Sequence, residues 1–186
     1  MLEYHFSPGN TPAPATFPDA ASGRVWCSKL RAMTTPGLQK RFSPGGICFG
    51  CGPANDKGLR IDSHVDGDHV VASWQPGAEH QAFPGMLSGG IIGTLLDCHS
   101  NWTAANHFLQ TRDAPEPPCT VTAEFHVKLL RPTPVDAPVH LKAHVGEASE
   151  DRVTVEATLT AGGKICATCT GVFVAVRPGH PAYNRW

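Results

Sequence analysis

Ser88-Gly89-Gly90 and Asp97, nine positions after the serine, are the residues of this chain whose types and spacing suit chemistry. A glycine pair at the start of an apolar helical pattern leaves backbone N–H groups uncovered. An anion or a polarised carbonyl oxygen can then approach them closely. Asp97 is the only acidic residue between Glu79 and Asp113, and it lies in the most hydrophobic helical stretch. A carboxylate there is costly unless it is paired or used. An oxyanion-type helix N-terminus with a buried acid suits attack on a carbonyl, the acid serving as general base or as nucleophile. Gly89 and Asp97 stand about 12 Å apart along a helix axis, and one carbonyl does not reach both. The pattern therefore expects Gly89 of one subunit to work with Asp97 of a two-fold partner. His99 follows Asp97 by two residues, points about 200° away around the helix, and reads as a buried structural histidine.

The elements that must position these groups follow from periodicity. Residues 87 to about 109 are the one long helix candidate, with Ile91, Ile92, Leu95, Leu96, Trp102, Ala105 and Leu109 at helical spacing. Ser88 is its expected N-cap. Upstream, residues 58–65 and 69–74 read as short strands joined by the turn Asp66-Gly67-Asp68, and 75–85 as a loop. Downstream of a proline-rich connector at 112–118, residues 121–129 alternate strictly between apolar and polar. Residues 139–145, 153–160 and 165–176 continue as strands, the last with a bulge expected near Gly171. One helix and a run of antiparallel strands make an α+β layout, a sheet wrapped around a single central helix.

Glycine and proline punctuate residues 1–46, which read as an extension carrying one short helix over 22–33; the domain is expected over 47–177, with a tail at 178–186. A formal charge of −1 gives no support for a nucleic-acid partner. The opening residues lack the pattern of a leader, and no apolar run approaches the roughly 20 residues of a membrane span. Seven cysteines, an odd count, argue against a closed disulfide framework and for a reducing, cytoplasmic setting. The ten histidines are scattered, and none forms a helical H-x-x-x-H pair. Cys48-x-x-Cys51 has the spacing of half a zinc knuckle, but no second half is legible. Cys166 and Cys169 share that spacing inside a strand, where i and i+3 face opposite sides. The expectation is a packing loop and no metal.

Four motifs in this order resemble one family. They are Cys48-Phe-Gly-Cys51-Gly-Pro-Ala-Asn55 with Gly58-Leu59, Phe83-Pro-Gly-Met-Leu-Ser88-Gly-Gly90, Leu95-Leu-Asp97-Cys-His99, and Thr122-Ala-Glu-Phe-His-Val-Lys-Leu-Leu-Arg131-Pro132. Over roughly 47–177 the chain resembles the hotdog-fold acyl-CoA thioesterases of the PaaI-like, phenylacetate-pathway type. The resemblance implies an acyl-CoA substrate, no cofactor beyond the coenzyme A that the substrate carries, and a homodimer or a dimer of dimers. It assigns Gly89, with Gly90, as oxyanion donor, Asp97 as base or nucleophile, and Thr122 as an assisting hydroxyl. Strand alternation alone turns Thr122 away from the helix, so that role requires a bulge or a subunit interface. The family usually has His-Gly-Gly where this chain has Ser88-Gly89-Gly90. Some relatives place an Asn in the loop before the helix to position water, and here Gln81 stands in that region. Phe83, with Met86, Trp102 and Phe108, suits an acyl pocket or the core equally. Arg131, with Lys128, Arg60 and Arg177, is a candidate for coenzyme A phosphates. The missing His and Asn motivate an alternative, a non-catalytic acyl-CoA or small-ligand binding hotdog protein; a hydratase would call for a motif that is not evident.

Overall fold

A computed structural model describes residues 35–183, and the helix expected over 22–33 lies outside them. A short helix α1 (Leu38–Phe42) precedes β1 (His64–Asp66) and β2 (His69–Trp74). A 3-10 turn (Ala78–His80), β3 (Gln81–Phe83) and β4 (Met86–Leu87) lead into the long helix α2 (Gly89–Thr111). Four long strands follow: β5 (Thr120–Leu129), β6 (Val139–Ala148), β7 (Arg152–Ala161) and β8 (Lys164–Ala175). Six strands form one antiparallel sheet in the order β1-β2-β6-β7-β8-β5.

The alternation read in the sequence becomes the inner face of that sheet. Val139, Leu141 and Ala143 of β6, Val153, Val155, Ala157 and Leu159 of β7, and Ala167, Cys169 and Phe173 of β8 are all buried. They close over Ile92, Leu95, Leu96, Ala104 and Phe108 of α2 in one continuous core. Each large apolar side chain buried this way contributes about 1.5–3 kcal/mol. Trp102 and Phe108, which suited a pocket or the core, are core residues. Among the described residues no helix is long and apolar enough to cross a membrane.

Several boundaries differ from the sequence reading. The helix starts at Gly89, not at 87, because Met86–Leu87 pairs with Gln81–Phe83 in a small hairpin inside the expected loop. Only His64 and Val65 of the stretch 58–65 are strand, in β1; Leu59 and Ile61 instead send their backbone N–H groups to Phe49 O (2.7 Å) and Gly50 O (3.1 Å). Residues 37–43, read as extension, pack on the domain, with Leu38 and Gln39 buried. The bulges lie elsewhere than Gly171. Ala123 is the extra residue of β5 against β8, and Cys166 that of β8 against β7. Gly171 sits in regular register opposite Phe125, and a Cβ there would collide with the Phe173 ring.

His99 is fully buried, as a structural role demands, and a buried hydrogen-bond chain sets its tautomer. Nε2 faces the Val70 carbonyl (3.0 Å), so it carries the proton. Nδ1 then accepts from the Ser63 hydroxyl (2.9 Å), whose oxygen accepts from Gln39 Nε2 (2.9 Å). The Ser63 N–H closes the chain on Gln39 Oε1 (2.7 Å). Burial holds His99 below the ordinary histidine range, at about 4, so the ring stays neutral. Removing the serine hydroxyl leaves two buried polar groups without their partner. Ser63→Ala should therefore lower unfolding free energy by about 1–3 kcal/mol in urea titrations at neutral pH. A loss under about 0.5 kcal/mol would show that the chain of bonds is dispensable.

Candidate active site

Asp97 lies two turns into α2, half-buried, facing the start of β5. The Thr122 hydroxyl donates to Asp97 Oδ1 at 2.8 Å. One turn further along the helix, the Thr120 hydroxyl donates to Asn101 Oδ1 at 2.6 Å. The two contacts share one geometry. Four helical residues and two strand residues both advance about 6 Å, so alternate residues of β5 meet successive turns of α2. The bulge at Ala123 permits this. Thr120 and Thr122 face the helix before it, and Phe125 and Val127 pack on the core after it. Strict alternation would have turned Thr122 outward. Burial raises the Asp97 carboxyl above the usual carboxylate range, against the opposing pull of the Thr122 hydrogen bond.

At the other end, the first intrahelical bond runs from Ile92 N–H to Ser88 O (3.1 Å). The N–H groups of Gly89, Gly90 and Ile91 therefore have no acceptor within the helix. Ser88 occupies the N-cap position as expected, with the extended backbone of that position, but its side chain makes no capping hydrogen bond. Gly90 is exposed. A Cβ on Gly89 would lie 3.1 Å from Leu129 Cδ1, where β5 crosses the helix start. Uncovered donors at the positive end of a 23-residue helix can cradle an anionic oxygen.

The other expected site residues are engaged locally. Gln81 accepts from the Gly85 N–H at 2.6 Å and donates to Ala78 O at 3.0 Å, so its amide holds the turn of the small hairpin. Phe83 is 60% exposed on that hairpin. Arg131 Nη1 donates to Ile165 O at 2.6 Å, Arg60 pairs with Asp56, and Arg177 with Glu150 and Asp151.

A second group of reactive side chains sits beside Asp97. Cys48 and Cys51, on the loop before β1, meet Cys98 of α2, and the three sulfur atoms lie within 4.8 Å of one another. Cys48 Sγ and Cys98 Sγ are 3.8 Å apart. Trp102 Nε1 donates to Cys51 Sγ at 3.4 Å. Sequence spacing linked Cys48 to Cys51 only. Cys98 joins them through tertiary packing, for which its position next to Asp97 held no signal.

No family model matches the chain, and no curated protein matches it. Solved structures do. A thioesterase superfamily protein from Shewanella loihica is 29% identical, with a TM-score of 0.54, over 67% of this chain and 98% of its own. The PaaI protein of the E. coli phenylacetic acid degradation operon is 17% identical, with a TM-score of 0.57, over 67% and 88%. The chain has the hotdog fold and resembles the PaaI-like thioesterases. A further hotdog match, a Streptococcus mutans protein bound to acetyl CoA, is 16% identical, with a TM-score of 0.53, over 62% and 88%.

In this hotdog chain Gly89 is the first helical residue, the position where proline is best tolerated because its missing N–H had no intrahelical partner. The extended backbone of Ser88 suits a following proline. Gly89→Pro should thus delete one cradle N–H and keep stability within about 1 kcal/mol of the parent in thermal or urea unfolding. A larger loss would show that Leu129 cannot give way.

Proposed function

We propose that this protein hydrolyses acyl-CoA thioesters to the free acid and coenzyme A, with no resident cofactor in that reaction. The Thr122–Asp97 hydrogen bond carries the reading: a half-buried carboxylate, oriented by a hydroxyl, on the helix whose N-terminus holds uncovered donors. The likeness to thioesterase superfamily structures, and the acetyl CoA in one of them, support it.

The thioester oxygen binds the Gly89 N–H, with Gly90 beside it. These donors stabilise the charge that forms when the carbonyl carbon becomes tetrahedral. Asp97 either takes a proton from the attacking water or attacks directly, in which case water cleaves the acyl–Asp97 anhydride. Collapse breaks the C–S bond, and coenzyme A leaves as the thiol after taking up a proton. Thr122 holds the carboxylate in place throughout. Gly89 and Asp97 of one chain are about 12 Å apart along the helix, so each site combines Gly89 of one protomer with Asp97 of its partner. The outer edge of β5, with Leu129 and Leu130 exposed, offers the partner a surface. Phe83 lines the acyl end, and Ser88 and Gln81 shape the turn that presents the cradle. Arg131 lies at the mouth as a coenzyme A contact.

An acyl-CoA panel followed by loss of thioester absorbance tests the activity without a thiol dye, which the protein's own cysteines would confuse. Asp97→Asn should lose about 10²-fold or more in turnover. Turnover unchanged in that variant would remove Asp97 from the mechanism. The lack of the family His at Ser88 and the locked amide of Gln81 favour the second reading, a non-catalytic acyl-CoA binding protein. Saturable binding with no turnover of any acyl-CoA would establish it.

The shared site has its own test. Gly89→Pro and Asp97→Asn proteins, each inactive, should regain about a quarter of parental activity when mixed and re-associated 1:1, because heterodimers carry one intact site. No recovery in confirmed heterodimers would place both groups of each site in one chain.

A further inference from the structure

Cys48, Cys51 and Cys98 have no part in that hydrolysis, yet the chain builds a shaped seat for them. The 3.8 Å between Cys48 Sγ and Cys98 Sγ matches the edge of a tetrahedron with metal–sulfur bonds of about 2.3 Å. It is far from the roughly 2.05 Å of a disulfide. The Trp102 indole N–H points at Cys51 Sγ. Donors aimed at sulfur suit an acceptor thiolate, and they orient metal ligands in the same way.

The loop is cut to fit. A Cβ on Gly50 would collide with Cys98 Sγ and with Thr94, and one on Gly52 with the backbone of Cys48 and Gly46. The Gly52 N–H closes the knuckle on Cys48 O at 2.8 Å. Three thiols so close cannot ionise together without a cation. A soft divalent ion relieves that conflict, and soft sulfur donors at tetrahedral spacing select the zinc class.

We propose that Cys48, Cys51 and Cys98 bind one zinc-class divalent cation through their thiolates, with water as the fourth ligand. Cys98 is buried, Cys51 half-buried and Cys48 exposed, so the open position faces outward past Cys48. Each ligand still protonated releases its proton as the metal–sulfur bond forms. The ion clamps the loop of 46–59 to α2 next to Asp97, in a segment that regular secondary structure does not hold.

Reduced, metal-free protein titrated anaerobically with Co2+ tests this. One equivalent should give visible bands of tetrahedral cobalt and a near-ultraviolet thiolate charge-transfer band, and Zn2+ should abolish both. Cys48→Ser and Cys51→Ser should weaken binding at least about tenfold, whereas Cys119→Ser should not. Cys48 is exposed, so its variant should fold, as circular dichroism will show. Absence of the charge-transfer band in the parent, or its persistence in Cys48→Ser, would overturn the proposal. So would a disulfide joining any two of the three cysteines in the presence of stoichiometric Zn2+.

Discussion

The structure depends on one helix being surrounded. Packed on β2, β5, β6, β7 and β8, α2 has little surface left for water. Any polar group it carries must find a protein partner. Asp97, Cys98, His99 and Ser100 make one turn of that helix, and successive side chains leave it about 100° apart. Asp97 meets Thr122 of β5, Cys98 the loop cysteines, and His99 the Ser63 and Val70 pair, while the Ser100 hydroxyl is buried. Three adjacent residues thus reach three separate parts of the chain. This single turn fixes the loop, the sheet and the acid relative to one another.

Much of this was legible, because it follows from period and composition. The strong period of two in residues 139–176 and the apolar helix around Leu95 define a wrapped sheet whichever way the ends fray. His99 was legible as a buried histidine from its angle to Asp97 alone. The bulge at Ala123 was not. One extra residue leaves the apolar–polar pattern of 121–129 intact in the sequence while reversing which residues face the helix before it. A bulge was expected at Gly171, but that glycine is there for the Phe173 ring. The small hairpin 81–87 was missed because a two-residue strand has no period, and its turn is held by the Gln81 side chain.

Cys98 marks a different limit. Its contact with Cys48 spans 50 residues and depends on the path of an irregular loop. Spacing rules recognise ligands that share a turn or a hairpin. They are silent when tertiary packing brings the third group, and the sequence therefore showed only the half-motif Cys48-x-x-Cys51. The glycines at 50 and 52 were the available signal, since each stands where a side chain would close the seat.

Sheet order has a further consequence, for the timing of assembly. Among the described residues β8 is the one strand that β5 pairs with, although β6 and β7 are synthesised between them. β2 likewise waits for β6. Both pairings are long-range and close slowly. A nascent chain that has released α2 and β5 still lacks the strand that holds Thr122 against Asp97. Ribosomal synthesis must pass Ala175 before the acid gains its anchored partner. The carboxylate and its hydroxyl are therefore assembled late, on a chain whose sheet is already nearly complete.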